Sequence, residues 1–322
     1  MSKVRSLNVV IAVAVVAFIV LRSHPDELWA ALREMDFRLA VLAFLLNVPV
    51  ALLAPLRSFF LFRRLGFRVS ARVLVPTTIL GFVAGGLTPA AAGELVRARA
   101  LRAAAGVPFE DSITVVLYER VLAAYLLALT TAVLFALTRL SATWSPLVLG
   151  AGVALGCLPW AVGLTLGSLA PLGTRFPGAG LRVSLIRGGF QMAKQLRFLL
   201  EQFSLLIQWS LVTITMFALI SLQYWLLAGA VAGGIRWDEA WIALGVSTLA
   251  AVASLLPLGL GVLDGTLAAV LARLGSTLAQ GSIVAVSVRA TVTLPLLLAA
   301  FVCYLYLQRS DATDQVAASS DP

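Results

Sequence analysis

Pro89-Ala90-Ala91-Ala92-Gly93-Glu94-Leu95-Val96-Arg97 decides how the chain is to be read. The stretch interrupts an apolar segment with a proline, small residues and a glycine, then sets Glu94 and Arg97 one helical turn apart. In water that is an ordinary helix start. Its surroundings, however, are not those of a water-soluble protein. Hydrophobic residues fill 61% of the 322 positions and charged residues 12%, about half the charged share of a soluble domain. A helix break that carries a carboxylate and a guanidinium into hydrocarbon needs partners for both.

The length allows about seven or eight apolar spans of ~20 residues. The formal charge is +9, but the basic residues lie mostly in short loops between apolar runs. That pattern orients a membrane protein, and no nucleic-acid partner is expected. Cys157 and Cys303 lie inside apolar runs, and the single histidine, His24, has no Cys or His neighbour. Neither a disulfide framework nor a metal site is indicated, and no cofactor is expected. The run 7–21 has a short basic leader at Lys3 and Arg5 but no small-x-small cleavage site before His24-Pro25-Asp26-Glu27, so it reads as a retained anchor.

Full spans are expected at 6–22, 39–56, 113–137, 145–167, 204–230 and 278–306. Two further apolar segments, 72–104 and 240–274, are broken in the middle. The first breaks at Thr88-Pro89 through Gly93, the second at Pro257-Leu258-Gly259-Leu260-Gly261, just before Asp264. Charge then sets the topology. With the N-terminus inside, the loop with Asp26, Glu27, Glu34 and Asp36 is outside, and the loop with Arg57, Arg63, Arg64, Arg68 and Arg72 is inside. If both broken segments return to the side they entered, the loop holding Arg175, Arg182, Arg187, Lys194 and Arg197 is also inside. Eight full spans would put that loop outside, against the charge bias. The reading is therefore six full transmembrane helices plus two oppositely oriented re-entrant hairpins. Residues 181–203 carry polar groups on one helical face and apolar groups on the other, either an interfacial amphipathic helix or a polar linker helix. The tail 310–322 reads as disordered and cytoplasmic.

Glu94 and Asp264 are 170 residues apart, and each follows a Pro/Gly break. Twenty-six residues after the first acid comes Arg120, and twenty-five after the second comes Arg289, both inside apolar helices. Such an echo fits an inverted repeat with broken helices meeting at the midplane. An unpaired charge at that depth costs at least about 2.5–3.5 kcal/mol. The cheapest arrangement sets Glu94, Glu119 and Asp264 against Arg97, Arg120 and Arg289. These six are the candidate substrate-binding residues, and Pro89, Gly93, Pro257, Gly259 and Gly261 are the candidate hairpin-tip backbone. They either serve as helix-packing ion pairs alone or form a site for a phosphate, which guanidinium and free backbone N–H groups suit. Arg57, at the end of 39–56, reads as an ordinary interface anchor.

Pro89…Gly93-Glu94-Leu95-Val96-Arg97, Leu117-Tyr118-Glu119-Arg120-Val121-Leu122, Pro257 through Asp264, and Arg289 in the last span together resemble the transmembrane, flippase-like region of bacterial lysylphosphatidylglycerol synthases, which also occurs as stand-alone proteins. The resemblance covers nearly the whole chain. It departs at Ala90-Ala91-Ala92, where the family often has Gly-Arg after the proline, and at Leu258 and Asp264, where it usually has Gly and Glu. The resemblance implies one flippase-like transmembrane domain over 1–309, in a multi-pass protein of the bacterial inner membrane, and the loop charges put both termini on the cytoplasmic side. It implies a lipid translocase whose partner is a phospholipid or a polyprenyl-phosphate-linked lipid, and it leaves room for a homo-oligomer. The aminoacyl-transferase domain of the full-length synthases is not expected, and neither is tRNA-dependent lysyl transfer. The alternative is an intramembrane transferase or accessory subunit acting on a lipid-linked substrate. No catalytic residue is assigned, since no Asp-rich metal motif or Gly-x-Ser-x-Gly is present.

Overall fold

The computed structural model of the chain describes residues 33, 35–87, 93–139, 145–161, 192–232 and 234–319. The expected span 6–22, Pro89 with Ala90–92, the end of 145–167 and the arginines 175, 182 and 187 lie outside them. The described residues form helices and no strand. That is the solution hydrocarbon demands, since only an intrahelical ladder satisfies each N–H and C=O locally.

In order the helices are α1 Phe37–Leu45, α2 Asn47–Arg64, α3 Ala71–Leu87, α4 Glu94–Ala105, α5 Phe109–Arg139, α6 Ser145–Gly156, α7 over 192–201, α8 Phe203–Ala232, α9 Trp237–Ser254, α10 Val262–Arg273, α11 Leu278–Val288 and α12 Leu294–Ser319. A 3-10 turn, Pro257–Gly259, precedes α10, and a π-helical stretch, Arg289–Thr293, joins α11 to α12. Four continuous stretches are long and apolar enough to cross a bilayer: Phe37–Arg64, Phe109–Thr138, Phe203–Val231 and Leu278–Gln308. Shorter apolar helices are Ala71–Leu87 and Pro146–Ala161. Helices α4 and α10 have 12 residues each, about 18 Å of rise against ~30 Å of hydrocarbon.

Local chemistry sets several ends. Asp36 caps α1 by accepting from the Arg38 backbone N–H at 2.9 Å. Thr277 and Gln280 form a reciprocal capping box at the start of α11. Gly106 closes α4 at φ 65°, a conformation open to glycine at little cost. Toward the other end of the chain, α12 continues to Ser319. The stretch from Ser310 that composition reads as unstructured therefore begins in helical backbone.

Helix α8 ties the molecule together. Its first half puts Trp209 into a core with Leu61, Phe62, Leu74, Leu101 and Tyr118. Its second half puts Leu227 into another core with Ala43, Leu244, Leu267 and Val284. Between apolar helices in lipid there is little hydrophobic drive, so close contact must come from small residues. Gly245 of α9 lies so near Thr131 of α5 that an added Cβ would sit 2.0 Å from its Oγ1. Large apolar side chains such as Val121, Leu211 and Phe301 stay exposed, as a lipid-facing surface requires.

Of the stretch 181–203, residues 181–191 lie outside the described residues. Helix α7 ends before Gln202, and Leu199 and Leu200 are buried. Gln195 accepts from the Thr114 hydroxyl at 2.9 Å and donates to Asp111. Side-chain hydrogen bonds thus fasten α7 to the start of α5.

Candidate functional site

The site is built on the first broken segment. Helices α3 and α4 lie against one another because glycine removes side chains at their contact. A Cβ on Gly81 would sit 2.6 Å from Arg97 Cβ, and one on Gly93 only 1.9 Å from the Ala84 carbonyl oxygen. Gly93 itself has φ −64°, an ordinary helical value. Its place in the candidate tip backbone is thus one of close backbone approach and not of positive φ. Gly259 and Gly261 at the second break do adopt positive φ, 58° and 79°.

This contact aims Glu94 and Arg97, at the start of α4, toward α5. Arg97 Nη1 donates to Glu119 Oε2 at 2.7 Å and Arg97 Nη2 to the Ser58 hydroxyl at 2.6 Å, while Ser58 donates to the other oxygen of Glu119. All three are buried. One turn away, Arg120 donates to Glu94 Oε1 through Nε at 3.0 Å and through Nη2. Arg120 is the accessible member, with 40% of its side chain exposed. Its guanidinium stacks 5.1 Å from the centroid of Phe82.

At the second break Arg289 forms a fork on Asp264, Nε to Oδ1 at 2.8 Å and Nη2 to Oδ2 at 3.0 Å, and its Nη1 donates to the Leu258 carbonyl at 3.0 Å. Asp264 also accepts from the Gly261 N–H at 3.0 Å. The 3-10 turn after Pro257 is thereby pinned from both sides. Leu258 holds φ 54°, in the left-handed region that costs a non-glycine residue about 1–2 kcal/mol, and the hydrogen bond to its carbonyl helps hold it there.

The three acids and three arginines singled out in the sequence thus form three one-to-one pairs. In each half the acid in the first turn of the short helix after the break binds the arginine that ends or lies in the next helical stretch. The pairs do not share hydrogen bonds across the two breaks among the described residues. Two consecutive glycines of α3 connect them instead. A Cβ on Gly85 would meet Arg120 Nη2 and Glu94 at 3.1 Å, and one on Gly86 would meet Leu258 Cδ2 at 2.9 Å. Gly86→Cys with Leu258→Cys, with Cys157 and Cys303 replaced by serine, should therefore be joined by a short bifunctional reagent. Failure to link them in folded protein would refute this apposition of the breaks.

Sequence reasoning misplaced Arg57. Rather than anchoring at an interface, it is buried at 6% exposure, with its guanidinium 5.3 Å from the Trp209 ring centroid. Its Nε and Nη1 have no hydrogen-bond partner among the described residues, and neither do Arg97 Nε and Glu94 Oε2. The missed signal was apolar sequence continuing past Arg57 through Phe59, Phe60, Leu61 and Phe62, which keeps the span from ending at Leu56. Ser58 was missed too, because a lone serine in an apolar helix carries no distinguishing pattern. Among the described residues, Arg57, Arg97 and Arg120 of this cluster face Glu94 and Glu119, one guanidinium more than the carboxylates. Among the described residues no three His, Cys, Asp or Glu side chains gather as a metal site.

Fold and site define a polytopic helical membrane protein with its charged groups collected at two helix breaks. The chain belongs to the lysylphosphatidylglycerol synthase TM region family, whose model matches residues 6–300. It is also similar to a UPF0104 membrane protein of Archaeoglobus fulgidus, at 32% identity over 117 residues, covering 36% of this chain. That match spans 35% of the relative's own length. No solved structure matches the chain.

Proposed function

We propose that this protein is a lipid translocase of the bacterial inner membrane that carries a phosphate-bearing headgroup past the first helix break. The observation that carries the reading is Arg57, a buried guanidinium with two donors that have no partner among the described residues, beside ion pairs that are already matched. Stacking on Trp209 contributes on the order of 2 kcal/mol at a desolvated site. Desolvating an ion costs several kcal/mol, and each unsatisfied donor adds about 1–3 kcal/mol. An anion that accepts from Nε and Nη1 removes both penalties. The free oxygen of Glu94 suits a hydroxyl or amine donor on the same headgroup, and the exposed Arg120 stands where a headgroup would first arrive.

In this reading the short helices α4 and α10 are the return limbs of two re-entrant hairpins, and both termini are cytoplasmic. Asp264 and Arg289 serve chiefly to lock the second tip, since each of their main polar atoms is already bonded.

The test is transbilayer movement of a fluorescent phospholipid in vesicles holding the purified protein, followed by quenching from outside. The wild-type protein is expected to exceed protein-free vesicles. Arg57→Met should fall to the protein-free rate while melting no lower than wild type, because it removes a buried guanidinium whose Nε and Nη1 have no hydrogen-bond partner among the described residues and leaves Glu119 paired with Arg97. A wild-type rate in Arg57→Met would remove the basis for the proposal.

A further inference from the structure

The turn between α2 and α3 borders an open cavity of about 590 Å³ that starts at Phe59, next to Ser58 on α2, and is otherwise lined by residues 63–70. Its walls are of two kinds. Phe59, Phe67 and Val69 are apolar, while Arg63, Arg68 and Ser70 are polar. Neither arginine makes an ion pair among the described residues. The turn is fixed by its own backbone: the Phe67 N–H donates to the Phe62 carbonyl at 2.9 Å and the Gly66 N–H to Arg63 at 3.2 Å. At Gly66 an added Cβ would meet nothing within 4 Å, so this wall is open.

The approach to the cavity matters as much as its lining. On α2, Leu52, Leu56 and Phe59 are exposed at 62%, 37% and 37%. They follow at helical spacing on one face, and exposed Arg63 continues that face by one further turn. An apolar track long enough for part of an acyl chain therefore ends at two uncompensated guanidinium groups and a hydroxyl.

We infer that this cavity is a resident site for an anionic phospholipid of the surrounding membrane. Its phosphate lies between Arg63 and Arg68, and its acyl chain lies along Leu52, Leu56 and Phe59. Charge-assisted contacts to phosphate supply the preference for an anionic headgroup, and the apolar track distinguishes a lipid from a free anion. The inference needs only that the protein is embedded in a membrane, so it stands or falls apart from transport.

The test is native mass spectrometry of the full chain in detergent, titrated with phosphatidylglycerol or phosphatidylcholine. Three variants are compared with wild type: Arg63→Gln/Arg68→Gln, Arg68→Gln alone, and Arg64→Gln/Arg72→Gln. The last removes the same charge from neighbouring exposed positions outside the cavity. Wild type and Arg64→Gln/Arg72→Gln are expected to retain phosphatidylglycerol over phosphatidylcholine. The cavity double variant should bind it at least roughly tenfold more weakly, the equivalent of about 1.4 kcal/mol. Arg68→Gln, in the turn rather than the helix, should weaken it in the same direction and covers the case in which the double variant does not fold. Equal weakening by both double variants would show diffuse attraction and overturn the site. So would equal retention of the two lipids, or displacement of phosphatidylglycerol by millimolar glycerol phosphate.

Discussion

Gly93→Val is expected to yield no folded protein, whereas Gly106→Ala yields a folded one. The two glycines differ in what surrounds them. At Gly93 the first carbon of any side chain would lie 1.9 Å from the Ala84 carbonyl oxygen and 2.1 Å from its carbonyl carbon. Those are backbone atoms of α3 and cannot rotate away. Helices α3 and α4 would have to separate, pulling Arg97 from Glu119 and Glu94 from Arg120. The penalty exceeds the about 1–3 kcal/mol of ordinary core overpacking. Gly106, at φ 65°, has nothing within 4 Å of an added Cβ, so alanine there meets only the backbone penalty of about 1–2 kcal/mol. Size-exclusion profiles of both variants in mild detergent check this. A monodisperse Gly93→Val would mean that the α3–α4 contact is not as close as described.

The second large effect concerns Glu119. Glu119→Met should lower stability by about 3–5 kcal/mol, since it leaves Arg97 and Arg57 buried near one another without their shared counter-charge. Arg97→Met should cost less, because Arg57 remains in electrostatic range of Glu119 and Ser58 still donates to it. The double variant Arg97→Met/Glu119→Met removes the pair together and should recover much of the loss. Melting temperatures of the three purified proteins decide the matter. If the double variant is no better than Glu119→Met alone, the pair is not the self-contained unit that its hydrogen bonds describe.

What could be read in advance follows physical rules specific to membranes. Charge is so scarce in the apolar runs that Glu94, Glu119, Arg120, Asp264 and Arg289 stand out individually. The requirement that each be neutralised gave the right set of partners. The similar spacing in the two halves, 26 residues from Glu94 to Arg120 and 25 from Asp264 to Arg289, marked the halves as alike but did not assign each acid its own arginine. The family resemblance rests on those same residues, and the match over 6–300 agrees with it.

Other features depend on three-dimensional proximity that has no local signature. Arg57 sits at the edge of the expected span, where the apolar run that continues past it hints at an interior place and packing against Trp209 reveals it. Gly93 and Gly261 look alike in sequence, yet one provides room for a neighbouring backbone and the other a positive φ. Leu258 was noted as a departure from a usual glycine. Its left-handed backbone explains that usual glycine, and its side chain against Gly86 shows what leucine contributes in exchange.

What occupies the space beside Arg57 decides whether this site binds a headgroup. The most direct test is a high-resolution structure of the wild-type protein in native membrane lipids, at a resolution that identifies phosphorus. A phosphate with oxygens within hydrogen-bonding distance of Arg57 Nε and Nη1, and a donor group of the same molecule at the free oxygen of Glu94, is the predicted result. A side chain or backbone group of this chain filling that position in an active preparation, with every lipid phosphate confined to the membrane surface, would contradict it.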